Sequence, residues 1–280
     1  GVVANGPAEK AGLKVGDRII RIDTTFVSGR NIGQKVVDRL MRGKKGSVVN
    51  IYVNRENAPS NQLFKVKRDQ INVSSIDASY LLEPQIGYVK IRRFGLKTAD
   101  EFKTSITELK KQGASNLILD LRDNGGGYFH IAIKIASEFF AHKKLLVYTQ
   151  GAHETKREYF SDGNGNFASG KLVVLVNESS ASASEIVAGA LQDWDRATVI
   201  GRRSYGKGIV QEQFDFLDGS RINLSISRYY TPLGRSIQRK YTANWSNMVD
   251  YVTMYRGLWA LDTTYTSNQI FKTLAGRELF

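Results

Sequence analysis

Strand-like and helix-like segments alternate between residues 87 and 192, and this alternation constrains the fold more than any other feature of the sequence. Such a pattern predicts an α/β layer structure, in which functional sites lie where strands end and helices begin. Two of these junctions, 122–127 and 177–185, carry unusual residues. The predicted strands are 87–93, 117–121, 145–148 and 172–176, and the predicted helices are 125–141, 99–112 and 182–192.

The first 70 residues predict a separate and smaller mixed domain. A short helical turn lies between Gly6 and Gly12, and a strand begins at Arg18. Apolar residues spaced by four predict a helix over 31–42, because that spacing places them on one helical face. Alternating apolar residues then predict a strand over 49–53 and a hairpin partner over 63–66. We therefore divide the chain into domains 1–70 and 71–280, with 241–280 left unassigned.

Composition excludes several kinds of site. The 280 residues contain no cysteine, which rules out disulfides, thiolate metal sites and cysteine nucleophiles. The three histidines, His130, His142 and His153, offer few candidates for a Ser/His/Asp triad, so a hydrolase would need another base. No apolar run approaches the roughly 20 residues of a membrane-spanning helix, so we predict no transmembrane segment in this chain.

The net charge of +13 first suggests nucleic acid or an anionic membrane as a partner. The excess is uneven, since residues 1–72 hold 14 Lys and Arg against 6 Asp and Glu. Nucleic-acid binding also needs basic and aromatic side chains arranged on a sheet or helix, and the sequence places no such group. We therefore expect no nucleic-acid partner.

Four serines lie at the second junction, where a buried strand ends and a helix begins. Ser182 and Glu185 have the spacing of a capping box, which is a frequent helix start. Alternatively, one serine is a nucleophile whose neighbouring backbone N–H groups bind an oxyanion at the positive end of the helix. Ser180 and Ser184 are assigned to capping and to solvent.

The glycine-rich segment 201–208 allows three interpretations. As a phosphate loop it has Gly208 where the magnesium-binding Ser or Thr belongs, and a strand-like segment, 209–214, where a helix belongs. As the Ser-x-x-Lys motif of penicillin-recognising enzymes, Ser204 and Lys207 would need a helix that the glycines disfavour. In the third interpretation, burial makes Lys207 a neutral general base. Lowering a lysine pKa from about 10.4 to near 7 takes roughly 4 to 5 kcal/mol, which is documented for buried lysines.

Five segments together resemble the C-terminal processing peptidases, also called tail-specific proteases. They occur in the family's order and cover most of residues 1–240. The segments are 6–19, which resembles a PDZ domain, 120–127, 180–186, 188–193 and 206–211. The resemblance implies a partial PDZ-like domain followed by a ClpP/crotonase-like α/β peptidase domain.

The same resemblance implies a serine endopeptidase that cleaves proteins near their C-termini by acyl transfer. Ser182 would be the nucleophile and Lys207 the general base. Gln211 would orient the lysine from the same face of a strand, as the two-residue period of a strand suggests. The backbone N–H groups of Ala183 and Gly127 would form the oxyanion hole. No metal or other cofactor is implied, and the three histidines are expected at the surface or in loops.

The sequence departs from the family in its first domain. It starts after the carboxylate-binding loop and first strand of a PDZ domain, and residues 1–4 resemble the following strand. Half of the peptide groove is therefore expected to be absent, although helix 31–42 would supply its other wall. This leaves an alternative function, a catalytically silent module that binds peptide tails or assembles a complex. The resemblance further implies substrates recognised by their C-terminal tails, a possible homo-oligomer, and an extracytoplasmic location in a bacterial periplasm or cell envelope.

Overall fold

A computed structural model describes residues 2–3, 5–29, 32–71, 73–239 and 269–279. Contacts within the chain divide it into two units, Gly1–Val73 and Ser74–Phe280. In the described residues, no helix is both long and apolar enough to cross a membrane.

The first unit is a four-stranded antiparallel sheet with two helices. Its elements are α1 (Pro7–Lys10), β1 (Arg18–Ile22), β2 (Thr25–Phe26), α2 (Gln34–Met41), β3 (Val48–Asn54) and β4 (Gln62–Lys67), with strand order β2-β1-β3-β4. Val49, Ile51 and Val53 alternate along β3 and are all buried, because successive strand residues point to opposite faces. They form the centre of a small core with Ile22 and Val66.

Two sequence predictions for this unit are wrong in detail. The helix predicted over 31–42 begins only at Gln34, with Gly33 in extended conformation as its N-cap. Val2 and Val3 belong to no strand, so the structure lacks the predicted strand at 1–4 in its described residues, while Gly1 and Ala4 lie outside them. The hairpin over 48–67 is confirmed, with Ile51 opposite Phe64.

The second unit has a mainly parallel sheet covered by helices and a separate antiparallel sheet. Its elements are β5 (Ile76–Glu83), β6 (Ile86–Ile91), α3 (Thr98–Lys111), β7 (Asn116–Asp120), α4 (Phe129–Ser137), β8 (Leu145–Gln150), β9 (Arg157–Phe160), β10 (Leu172–Val176), α5 (Ala183–Asp193), β11 (Thr198–Gly201), β12 (Ile209–Asp215), β13 (Arg221–Tyr230), β14 (Phe271–Lys272) and β15 (Glu278–Leu279). The main sheet has the order β11-β10-β7-β6-β5 and the second sheet β12-β13-β8-β9.

The main sheet confirms the predicted α/β layers. Strands β6, β7, β10 and β11 run parallel, and β5 pairs antiparallel with β6 at the edge. Apolar side chains of α3, α4 and α5 form one core with the sheet, which is the arrangement expected when helices cover parallel strands. The parallel order places the carboxyl ends of β7 and β10 next to each other.

Two predicted elements differ from the structure. Strand β8 belongs to the antiparallel sheet, where it pairs with β9 and β13, and not to the parallel layer. Helix α4 is shorter than the predicted 125–141 at both ends. It begins only at Phe129, because Gly126 and Gly127 have φ angles of +98° and +146°, which no α-helix accepts, and it ends at Ser137. Part of the unassigned C-terminal segment folds as the β14–β15 hairpin, and 241–268 lies outside the described residues.

Candidate active site

The two junctions singled out in the sequence contact each other at the carboxyl ends of β7 and β10. The N–H of Ala181 donates to the carbonyl oxygen of Asn124 at 3.0 Å. The Ser184 hydroxyl donates to the same oxygen at 2.8 Å, and the Ser180 hydroxyl donates to the carbonyl oxygen of Leu121 at 2.7 Å. The serine turn is therefore bound to the glycine turn along its length.

These bonds correct the assignment of Ser180 and Ser184 to capping and solvent. Both side chains are fully buried, at 0% exposure. A buried hydroxyl without a partner is costly, and each of these hydroxyls is satisfied by a carbonyl of the neighbouring junction. Ser182, between them, is only partly buried.

Ser182 has an unusual backbone conformation, with φ +54° and ψ −112°. A side chain with Cβ rarely adopts positive φ, and residues held there against the strain cluster at functional sites. Ser182 is also the N-cap of α5. The predicted capping box is present, with the Ser182 N–H donating to Glu185 Oε2 at 2.8 Å. A sharp strand-to-helix turn that presents a serine is the arrangement of a nucleophile elbow.

The glycine turn lies directly against Ser182. A Cβ on Gly126 would lie 2.7 Å from the carbonyl oxygen of Ala181 and 2.9 Å from the Cβ of Ser182. The N–H of Gly126 donates to Oδ1 of the buried Asn124 at 2.9 Å. Gly127 is equally restricted, because a Cβ there would collide with the carbonyl oxygen of Phe94. Both glycines are therefore required by close backbone approach.

Two backbone N–H groups, one in each turn, make no hydrogen bond within the part of the chain that the structure describes. Neither the N–H of Ala183 nor that of Gly127 donates to an acceptor there. Ala183 is the first residue of α5, so its N–H belongs to the electropositive end of the helix. Unclaimed N–H groups beside a serine are the donors that an oxyanion hole requires.

The lysine loop, residues 203–208, is joined to the serine turn through Glu185. Glu185 Oε1 accepts hydrogen bonds from the Ser204 hydroxyl at 2.8 Å and from the Gly206 N–H at 2.6 Å. Its Oε2 accepts the N–H of Lys207 at 2.9 Å and that of Ser182. The side chain is buried, which raises the pKa of its carboxyl, and the hydrogen bonds from Ser204, Gly206, Ser182 and Lys207 oppose that rise. Sequence reasoning assigned Glu185 only to capping, since nothing local marks its contacts with the lysine loop.

The structure of the lysine loop bears on the three interpretations of segment 201–208 and on the strand argument for Gln211. It forms neither helix nor strand and is followed by β12, so the phosphate-loop and the Ser-x-x-Lys interpretations, which need a helix, are wrong. The Lys207 side chain is exposed, so the burial that the sequence interpretation required is absent from this structure. Gln211 is exposed on β12, but Lys207 precedes the strand and a bulge lies between Val210 and Gln211. The two-residue period therefore does not relate Gln211 to Lys207.

Among the described residues, we next consider the other groups that could form a metal or catalytic centre. All three histidines are exposed, as predicted. In the described ranges, no three His, Asp or Glu side chains lie close enough together to hold a metal ion.

Comparison with known proteins identifies the family. The sequence model of peptidase family S41 matches residues 85–244, and that of the PDZ domain matches residues 1–67. The chain therefore belongs to peptidase family S41, with a PDZ domain in its first unit.

Curated relatives carry names of one kind. The chloroplastic C-terminal processing peptidase of Tetradesmus obliquus is 36% identical over 84% of this chain and 53% of its own length. The carboxy-terminal processing protease CtpB of Bacillus subtilis is 35% identical over 84% of this chain and 48% of its own. The chain thus spans about half the length of the curated relatives it matches.

Solved structures agree with the fold. The photosystem II D1 C-terminal processing protease is 33% identical, with a TM-score of 0.54 over 86% of this chain and 65% of that protein. A putative S41 protease from Bacteroides fragilis is 17% identical, with a TM-score of 0.52 over 92% of this chain and 77% of its own, and is similar in fold alone.

Proposed function

We propose that this chain is a serine endopeptidase that cleaves proteins near their C-termini, with Ser182 as nucleophile and Lys207 as general base. The observation that carries the proposal is the strained turn at Ser182, which begins α5 next to the unbonded N–H of Ala183 and lies against the Gly126 turn. A serine in that position can attack a carbonyl while adjacent donors receive the developing negative charge. The names of the relatives support the same reaction.

The reaction proceeds by acyl transfer. Ser182 Oγ bonds to the scissile carbonyl carbon as its proton passes to Lys207, and the N–H groups of Ala183 and Gly127 hold the oxyanion. The C–N bond then breaks, the amine leaves with the proton from Lys207, and water hydrolyses the ester by the reverse sequence. The resemblance alone supports our proposal that Gln211 orients the lysine. Lys207 is exposed, and we propose that a bound peptide covers it before it takes the proton from Ser182.

We propose that the enzyme recognises its substrates by their C-terminal tails and that the PDZ domain contributes to this binding. The proposed location is outside the cytoplasm, in a bacterial periplasm or cell envelope. A homo-oligomer stays a prediction.

The test combines peptide cleavage with labelling by a fluorophosphonate, which phosphonylates activated serines as its P–F bond breaks and fluoride leaves. We expect one adduct, located at Ser182 by mass spectrometry, and loss of both labelling and cleavage in S182A. K207A should lose at least about 10²-fold in kcat at every pH from 6 to 10, since a positioned general base contributes about that much or more.

Ser179 provides the matched control, because it belongs to the same turn and its hydroxyl makes no hydrogen bond within the described residues. S179A should keep full labelling and cleavage. Undiminished cleavage by S182A or K207A would exclude this pair. A wild-type protein that binds peptide tails but is neither labelled nor active would instead support the catalytically silent module.

A further inference from the structure

We propose that Glu185 is a positioning residue, which holds the backbone of the nucleophile and the backbone of the general base on one buried carboxylate. The inference rests on the proposed function, since it concerns the geometry of Ser182 and Lys207. Glu185 touches neither substrate nor reacting atoms in this arrangement, and its effect on catalysis passes through the two residues that it holds.

The hydrogen bonds of Glu185 exceed what a helix cap requires. In a capping box the glutamate side chain accepts one hydrogen bond, from the N–H of the N-cap residue, here Ser182. Three further donors reach the same carboxylate from residues 19 to 22 positions later in the chain, namely Ser204, Gly206 and Lys207. Two of the four donors belong to the proposed catalytic residues themselves.

The carboxylate is matched to its four donors. An ionised carboxyl group has two oxygens with about four acceptor sites, and all four are used here by three backbone N–H groups and one hydroxyl. The side chain is 6% exposed, and among the described residues no basic side chain forms an ion pair with it. The negative charge is therefore stabilised by the very groups that it positions.

Other contacts attach the lysine loop to the fold, so losing Glu185 should displace the loop without releasing it. The Tyr205 N–H donates to the carbonyl oxygen of Ser180 at 3.0 Å. The Gly208 N–H donates to Oε1 of the buried Gln238 at 3.0 Å. Neither of these two bonds fixes the distance between Lys207 and Ser182, and proton transfer depends on that distance.

The experiment compares E185A and E185Q with the wild type and with E178Q. Glu178, in the serine turn, also makes a contact with the region of the lysine loop, because it accepts hydrogen bonds from Nε and Nη2 of Arg202 at 2.7 and 3.0 Å. This ion pair is at the surface, so E178Q is the matched control. Exposed pairs contribute little, and E178Q should behave as the wild type. Active sites are counted by fluorophosphonate titration, so that misfolded protein does not enter kcat.

For E185A we expect kcat per titrated site to fall about 10²-fold with KM changed less than about threefold, since small misplacement of catalytic groups has that cost. The rate of Ser182 labelling should fall in parallel. E185Q should recover only part of kcat. Its amide oxygen can still accept the Ser182 and Lys207 N–H groups and its amide nitrogen can donate to the Ser204 hydroxyl, but the Gly206 N–H loses its acceptor.

A merely structural role would lower the number of titrated sites and the melting temperature but leave kcat per site unchanged, and that result would overturn the inference. If E185A does not fold, E185Q decides, and wild-type kcat per site in E185Q overturns it as well. The two proposals fail separately. An unlabelled, inactive wild-type protein refutes the peptidase, whereas a normally labelled wild type with fully active Glu185 variants refutes only the positioning role.

Discussion

Replacing Gly126 by alanine tests whether the glycine turn and the serine turn approach each other as closely as described. Two costs add at this position. A side chain at φ +98° costs about 1–2 kcal/mol. The added Cβ would also lie 2.7 Å from the carbonyl oxygen of Ala181 and 3.0 Å from the nitrogen of Ala183, and overpacking of this kind costs about 1–3 kcal/mol. We expect G126A to lose about 2–5 kcal/mol in free energy of unfolding.

Two other glycines separate these costs. Gly113 has nearly the same φ, +100°, but no atom lies within 4 Å of its added Cβ, so G113A should lose only the conformational term of about 1–2 kcal/mol. Gly125 has neither a positive φ nor a close neighbour, so G125A should stay within about 0.5 kcal/mol of the wild type. The excess of G126A over G113A measures the contact with the serine turn.

Hydrogen exchange of the α5 amides is the suitable assay, because it reports the stability of the second unit without requiring the two units to unfold together. In parallel, kcat per titrated site should fall about 10²-fold in G126A, since the methyl group displaces Ser182 and Ala183 from their positions. Equal stability of G126A and G113A, together with normal kcat in G126A, would refute the close approach and with it the geometry of the site.

Two further predictions concern buried and half-buried charges. Arg235 donates from Nε to Oδ1 of the fully buried Asp193 at 3.0 Å. R235M should lower the melting temperature, because it leaves a buried carboxylate without its cation at a cost of about 3 kcal/mol. A loss of stability below about 1 kcal/mol would contradict this assignment. In the first unit, the hydrogen bond from Arg55 lowers the pKa of Asp17 to about 2, below its unfolded value, so the stabilisation is complete above about pH 4 and is lost as the pH falls towards 2. The free energy of unfolding of that unit, measured with denaturant, should therefore fall between pH 5 and pH 2. R55M should reduce this fall by about 1 kcal/mol, after allowance for solvent screening, and an equal fall in R55M and the wild type would contradict the pairing.

The local sequence pattern was sufficient to predict β10 and α3 of the main α/β layer. The predicted strand 172–176 has the observed bounds of β10, and the predicted helix 99–112 differs from α3 by one residue at each end. In α3 the buried apolar residues recur with the helical period, and β10 is a continuous apolar run, as expected of a parallel strand buried on both faces. The adjacency of the two junctions followed from the parallel order of their strands.

Non-local contacts account for what the sequence did not predict. Strand β8 has the composition of a buried parallel strand, and only its pairing with β9 and β13 assigns it to the antiparallel sheet. The carbonyl partners of Ser180 lie 59 residues away, and the lysine-loop partners of Glu185 lie 19 to 22 residues away. Exposure of Lys207 is likewise a property of the assembled loop, whereas sequence reasoning could only state that a base would need burial.

The three serines of the Ser-x-Ser-x-Ser segment are evenly spaced in the sequence, but they differ in their contacts in the structure. Ser180 and Ser184 are two residues to either side of Ser182, and each hydroxyl is committed to a different carbonyl of the opposite turn. A nucleophile moved to either neighbour would have to abandon a buried hydrogen bond and adopt the strained backbone of position 182 as well. The flanking serines thus restrict the reactive hydroxyl to position 182. Substitutions in evolution can change the residues around that hydroxyl more easily than they can move it to another serine.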